Sequence, residues 1–373
     1  MGIEEKRIEQ IWWEQTNNPE HFTNKIVDTL NQGKSILIPD FNSMPWQSYF
    51  IEKIHKTGAL ETITDNISNV EECMLEKCCE IEGDPTPNLG FKTRIVEFIA
   101  KKKSIFHNMF FLIYLNENML DEWARFIREY SQSRNKESSK AVFLLLLKNE
   151  NYDSKKIGNR KGIEIFSFKE SINEYDRIVF AMLASYSLKI SSILKTYLTE
   201  LACNVAGNNI ELSSKCLQKH EDFLKNPVQT IKNIIDNDTD SNGCRFLFSK
   251  TKDEIEQAVW TAQIRTFYPL LEEYRRDFIK KYRAAIETHL PIKTTSFDET
   301  IDTPEEIGLG ILFYMTTENY SKTMGKKLNL YKEKEELFTF KEARNSLSHL
   351  NILSFEEIQK LMETSFVKNR AKI

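Results

Sequence analysis

Apolar residues are arranged in two ways along this chain. In the first part they gather into short dense runs separated by amphipathic stretches. Met109–Leu115 and Ala141–Leu147 are runs of seven, with the length and density of strands buried on both faces. Ser35-Ile36-Leu37-Ile38 predicts a further strand, and Gly58–Asn66 and Ile163–Phe168 predict two more. Between them Phe22, Ile26 and Leu30, at i, i+4 and i+8, mark one face of a helix that runs to Gly33. Phe91–Lys103 predicts a helix with a basic end, and Leu120–Tyr130 a helix with Trp123, Phe126 and Ile127 on its apolar side. Strands alternating with helices predict an α/β domain with a doubly wound parallel sheet over residues 1–170.

From Ser171 onward only the helical period remains, and residues 171–373 are expected to be all-helical. Tyr175–Leu201 reads as one long helix or two, with Ile178, Met182, Tyr186 and Ile190 as a core stripe. In Asp253–Leu290, Ile255, Val259, Ala262 and Phe267 line one face before Pro269, and Leu271, Tyr274, Phe278, Tyr282 and Ala285 continue after it. Pro269 has no N–H to donate, so a kink or a helix start is expected there. Glu335–His349 predicts another helix that ends in a short connection, Leu350–Leu353. Ser354-Phe355-Glu356-Glu357 is a capping box that opens the next one.

Gly33-Lys34-Ser35 carries the letters of a phosphate-binding loop in the wrong setting. A P-loop runs strand, GxxxxGK[ST], helix, so that backbone amides and a helix N-terminus face the phosphates. Here the order is helix, GKS, strand, and Gly33 reads as a helix C-cap. The strand-to-helix turn comes afterwards, at Pro39-Asp40-Phe41-Asn42-Ser43-Met44-Pro45-Trp46, with no glycine and no GK pair. The strand Met109–Leu115 ends in Asn116-Glu117, where a Walker B motif places its acidic pair, and Asn149 follows Ala141–Leu147. This order resembles the AAA+/STAND class of P-loop ATPases with the Walker A lysine missing. The resemblance implies Glu117 as the remaining residue for water activation and Asn149 as a polar sensor. Without a phosphate grip no nucleotide cofactor is expected. An unrelated α/β scaffold is the alternative.

The stretch Arg344-Asn345-Ser346-Leu347-Ser348-His349 carries the candidate chemistry. Guanidinium can hold a phosphate in two-pronged geometry. Imidazole can move a proton to or from a ribose 2′-hydroxyl or a leaving oxygen. The amide can orient either partner, and no metal is needed. The hexapeptide resembles the RNxxxH motif of the HEPN superfamily, all-helical domains that include metal-independent ribonucleases. The resemblance implies that Arg344 holds the scissile phosphate, His349 moves the proton and Asn345 orients one of them. It implies RNA as substrate and a homodimer that combines two motifs. On a continuous helix five positions rotate by about 140° net, so Arg344 and His349 do not share a face, whereas Asn345 and His349 do. A purely structural reading stands beside this one. In it His349 bonds open carbonyls at a helix end, Arg344 pairs with a local acid such as Glu342 or Glu357, and the motif is a clasp between helices.

Composition narrows the partners. The formal net charge of −4 argues against indiscriminate coating of nucleic acid. A local contact is still drawn by Arg276, Lys280 and Arg283, at i, i+4 and i+7, although Glu272, Glu273 and Asp277 dilute that stripe. Seven-residue apolar runs are far short of the ~20 needed to span a membrane. Nothing resembles a secretory signal. Six cysteines, with Cys73, Cys78 and Cys79 the only cluster, make neither a disulfide scaffold nor a paired zinc set. Asp236–Gly243 lacks the EF-hand spacing. No metal site and a cytoplasmic location are expected. Together these features lead to a metal-independent endoribonuclease effector of a bacterial antiviral or toxin-type system, restrained by a non-hydrolysing ATPase-like domain. A non-catalytic adaptor that holds a partner protein is the alternative.

Overall fold

The computed structural model describes residues 3–58, 60–64, 69–87, 89, 94–102, 105–134, 139–147, 161–293, 300–324, 326–330 and 333–370. The chain divides into two compact units, Met1–Phe180 and Ala181–Ile373. Among the described residues no helix is long and apolar enough to cross a membrane.

The first unit is a five-stranded parallel sheet with β1 at Ser35–Ile38, β2 at Leu60–Ile63, β3 at Phe110–Leu115, β4 at Val142–Leu147 and β5 at Ile163–Ile165. The spatial order is β2-β3-β4-β1-β5, and every pairing is parallel, with Leu112 opposite Leu144 and Ile36 opposite both Leu144 and Glu164. The five predicted strands are present: β1 has its predicted bounds, and the other four are shorter than predicted. Side chains alternate across the pleat. Leu37, Phe111, Ile113, Leu115, Phe143, Leu145 and Leu147 pack with three helices, α3 (Val70–Glu82), α4 (Ile95–Lys101) and α5 (Leu120–Ser133). Residues of the opposite parity, such as Tyr114, meet Phe41 and the aromatic layer beyond it. Burial on both faces is why these strands read as unbroken apolar runs. This parallel, doubly covered sheet is P-loop-NTPase-like. Cys78 and Cys79 are buried in the α3 core, and none of the six cysteines is in a disulfide.

Other helices of this unit include α1 (Asn17–Asn31), α2 (Gln47–His55) and the short α6 (Phe168–Ser171). Helix α1 stops as Gly33 predicts. Gly33 takes the left-handed conformation at φ +71°. Its N–H donates to Leu30 and that of Lys34 to Thr29, the paired bonds of a Schellman ending.

Helix α7 (Glu174–Ser185) leads into the second unit, where α8 (Ser192–Ala206), α9 (Ile210–Gln218), α10 (Lys252–Glu287), α11 (Leu309–Tyr314), α12 (Lys334–Ser348), α13 (Phe355–Glu363) and α14 (Ser365–Arg370) are the elements used below. Among the described residues the unit is helical apart from turns, an isolated bridge between Thr239 and Arg245, and a two-residue antiparallel ladder, β6 (Ile292–Lys293) with β7 (Thr300–Ile301). A two-residue strand is too short to leave a periodicity. Two further expectations need correcting. The Tyr175–Leu201 stretch is two helices, one of the two arrangements expected, but Met182 on α7 and Tyr186 just past its end are 58% and 76% exposed rather than core. Period 3.6 identifies an apolar face but says nothing about whether a partner covers it. Finally, α10 runs unbroken through Pro269, and its one non-helical residue is Tyr282, at φ −109° and ψ 18°. Proline's fixed φ fits a helix, and the missing hydrogen bond is offset by burial of Phe267, Leu270 and Leu271.

Helix α10 is the spine of this unit. Tyr197 of α8 lies 5.1 Å from Phe267. Phe340 of α12 stacks on Tyr274 at 3.7 Å, and Phe366 of α14 meets both edge-on. The Tyr274 hydroxyl is buried with no hydrogen-bond partner among the described residues. Burial, then Glu336 and Glu333 nearby, push this phenol's pKa upward. Tyr274→Phe removes an unsatisfied polar group while keeping the stack, and is expected to raise stability by about 1 kcal/mol in urea unfolding. A loss of that size would show that the hydroxyl is satisfied.

Candidate functional site

At the end of β1, where a P-loop presents amides to phosphate, this chain places a carboxylate and aromatic rings. Asp40 is 6% exposed. Its two oxygens accept bonds from the Phe168 N–H at 2.9 Å, the Lys169 N–H at 2.7 Å and the Ser167 hydroxyl at 2.9 Å. Those are the free donors at the N-terminus of α6, so Asp40 ties the β1 turn to the turn after β5. Phe41, Met44 and Trp46 are buried behind it, with Phe41 5.9 Å from Tyr114 of β3. Trp46 itself is held in the left-handed region, at φ 47°. This crevice, the usual ligand position in a doubly wound sheet, is occupied by the protein's own side chains, and a buried carboxylate there disfavours a phosphate. Glu117 lies exposed in the turn after β3. Asn149 lies outside the described residues.

The motif residues lie in the last turns of α12. Leu337, Phe340, Ala343 and Leu347 form its buried stripe. Arg344 borders that stripe and is half-buried, Asn345 is half-buried, and His349 is exposed as the C-cap residue. The helix is regular to Ser348, so within one chain Arg344 and His349 point about 140° apart. Among the described residues none of the three side chains makes a hydrogen bond or ion pair. The clasp reading is therefore not what holds this turn together.

Backbone and α10 do that instead. The His349 N–H donates to Asn345 at 3.0 Å and Ser346 at 3.2 Å, Leu350 to Leu347, and Asn351 to Ser346 at 2.9 Å. The Trp260 indole N–H takes up the Leu347 carbonyl at 2.9 Å. The buried Gln263 amide accepts from the Leu353 N–H at 2.7 Å and donates to the Leu353 carbonyl at 2.9 Å. The capping box predicted at Ser354 and Glu357 is present. Every carbonyl from Asn345 to Leu347 thus has a donor without any help from the His349 ring.

This ending is another Schellman motif, with a leucine where glycine is usual. Leu350 has φ +61° and is 72% exposed. A left-handed leucine is strained by about 1–2 kcal/mol. Leu350→Gly is expected to stabilise the chain by about 1 kcal/mol in urea unfolding. An unchanged midpoint would mean that the strain is not there. Sequence reading missed Trp260, Gln263 and Leu350. Gln263 had a signal, a polar residue inside the apolar stripe Val259-Ala262-Phe267, whereas Leu350 had none.

The predicted basic stripe is brought together only in part. Arg276 and Lys280 are exposed on α10. Arg283 lies beyond the irregular Tyr282 and is engaged with Glu287 at 3.0 Å and Glu305 at 2.5 Å. Among the described residues no group of His, Cys, Asp and Glu could hold a metal ion.

No family model and no curated protein sequence matches the chain. Solved structures include distant neighbours, two of them ORC structures. The Aeropyrum pernix ORC2 protein, in ADPNP–ADP complexes, is 11% identical over 95% of this chain and 94% of that one, with a TM-score of 0.32. Drosophila ORC bound to DNA is 14% identical over 91% and 89%, with a TM-score of 0.24. Likeness this slight carries no function across. The P-loop-like character of the first unit rests on its parallel strand order and doubly covered sheet.

Proposed function

We propose that the chain is a metal-independent endoribonuclease whose site is built from Arg344, Asn345 and His349, with the P-loop-like unit serving as a non-hydrolysing regulatory domain. One observation carries this reading. The three side chains make no internal polar contact among the described residues, while the backbone that presents them is held by Trp260 and Gln263 and ends in a strained, exposed Leu350. Strain and rigid support around polar side chains left available suit groups kept for an external ligand. In the proposed reaction Arg344 binds the phosphate and stabilises its developing charge. His349 moves the proton of the 2′-hydroxyl, or supplies one to the leaving oxygen, leaving a cyclic phosphate. DNA, lacking that hydroxyl, is inert.

Because Arg344 and His349 diverge around one helix, the working site takes Arg344 from one copy and His349 from another. Mixing the Arg344→Ala and His349→Ala proteins tests this. Each alone is expected to be inactive, and the mixture to recover part of the wild-type cleavage. A mixture as dead as its components would confine both groups to one chain and contradict the proposal. The plugged β1 crevice favours a second reading, a non-catalytic adaptor. A stable complex with another protein, together with no turnover of RNA, would support that reading.

A further inference from the structure

On α12 the residues Phe338, Lys341, Asn345 and His349, at i, i+3, i+7 and i+11, fall within an arc of about 80°. That arc is opposite the buried stripe of Leu337, Phe340, Ala343 and Leu347. At its far end is an aromatic pair. Phe338 lies 5.2 Å from Phe313 of α11, ring centroid to centroid, and remains 45% exposed. The Lys341 ammonium sits over both rings, 5.1 Å from Phe313 and 5.2 Å from Phe338, and also pairs with Glu342. Hydrophobic burial does not account for a large ring left open on the same face as Asn345 and His349.

Resting on the ribonuclease reading, we infer that the Phe313–Phe338 pair with Lys341 is a stacking seat for one unpaired base of a single-stranded RNA. An exposed ring backed by a second ring and a cation is the platform that unstacked bases use, and it is indifferent to base identity. Phe338 and His349 are separated by about 16 Å along the helix, so the seated base lies a few nucleotides from the scissile bond. With Glu342 beside Lys341 the seat carries little net field, so its contribution is stacking and persists in high salt. The substrate class follows: single strands or loops are held, and a fully paired duplex, whose bases cannot leave the stack, gains nothing from the seat.

The test measures binding of a fluorescent single-stranded oligoribonucleotide to the full chain carrying His349→Ala, which prevents cleavage. Adding Phe338→Leu, which keeps the apolar packing on Phe313 but loses the ring face, is expected to weaken binding about 5- to 100-fold. Adding Phe338→Tyr is expected to leave it within about twofold. The Leu effect persists as salt is raised, and a fully paired RNA duplex shows none. Equal binding by the Leu variant and its parent overturns the seat while leaving the ribonuclease reading intact, provided the wild type cuts RNA. If the wild type neither cuts nor binds RNA, both fall.

Discussion

Wild-type chain is expected to cut mixed cellular RNA in EDTA, and His349→Ala to cut about 10²- to 10⁴-fold more slowly, the usual contribution of a general acid or base. The variant should fold normally. The His349 side chain is exposed and makes no hydrogen bond among the described residues, and the backbone N–H that closes α12 is unchanged in alanine. Circular dichroism of both proteins separates lost chemistry from lost structure. Arg344→Lys should also fall well below wild type, because an ammonium keeps the charge without the two-pronged geometry. Chelation should change nothing, since an arginine and a histidine supply charge and proton transfer without an ion. Retained cleavage in the His349 variant would sink the ribonuclease proposal. No cleavage by either protein would move the weight to the adaptor reading and to isolation of its partner.

The second large effect belongs to stability. Asp40→Ala should lower the free energy of unfolding by about 3 kcal/mol, because one buried and one part-buried N–H group lose their acceptor and each such loss amounts to roughly 1–3 kcal/mol. Among the described residues Asp40 is the acceptor for the Phe168 and Lys169 amides, and it also accepts from Ser167. Asp40→Asn keeps one carbonyl oxygen and turns a donor toward donors, so it should lose about half as much. Urea unfolding of the two variants measures both. A loss under about 1 kcal/mol for the alanine variant would show that the β1 crevice is not held shut by this residue, and would reopen the question of what enters it.

Much of the first unit was legible because a parallel sheet buried on both faces writes its strands as continuous apolar runs. Met109–Leu115 and Ala141–Leu147 are such runs, and β3 and β4 lie within them one residue shorter at the start. Their order in the sheet was not legible in the same way, since it depends on pairings more than a hundred residues apart, such as Ile36 with Leu144. Asp40 shows the same limit at a single residue. Nothing near it names its role, because its partners lie 127 to 129 positions later. Met182 and Tyr186 show the converse: their spacing made a face, and only the packing left it uncovered.

The sequence alone determined what is local. The Gly33 ending of α1, the capping box at Ser354, the end of α12 at His349 and the divergence of Arg344 from His349 all follow from interactions within a few positions, which helical geometry and capping chemistry govern. Tertiary structure alone decided that a carboxylate and aromatic rings fill the β1 crevice, that Trp260 and Gln263 hold the motif's last turn, and that Phe338 shares an exposed face with Phe313. Each of these joins segments distant in the chain, and such contacts are selected by the packing of the whole unit, which no window of sequence contains.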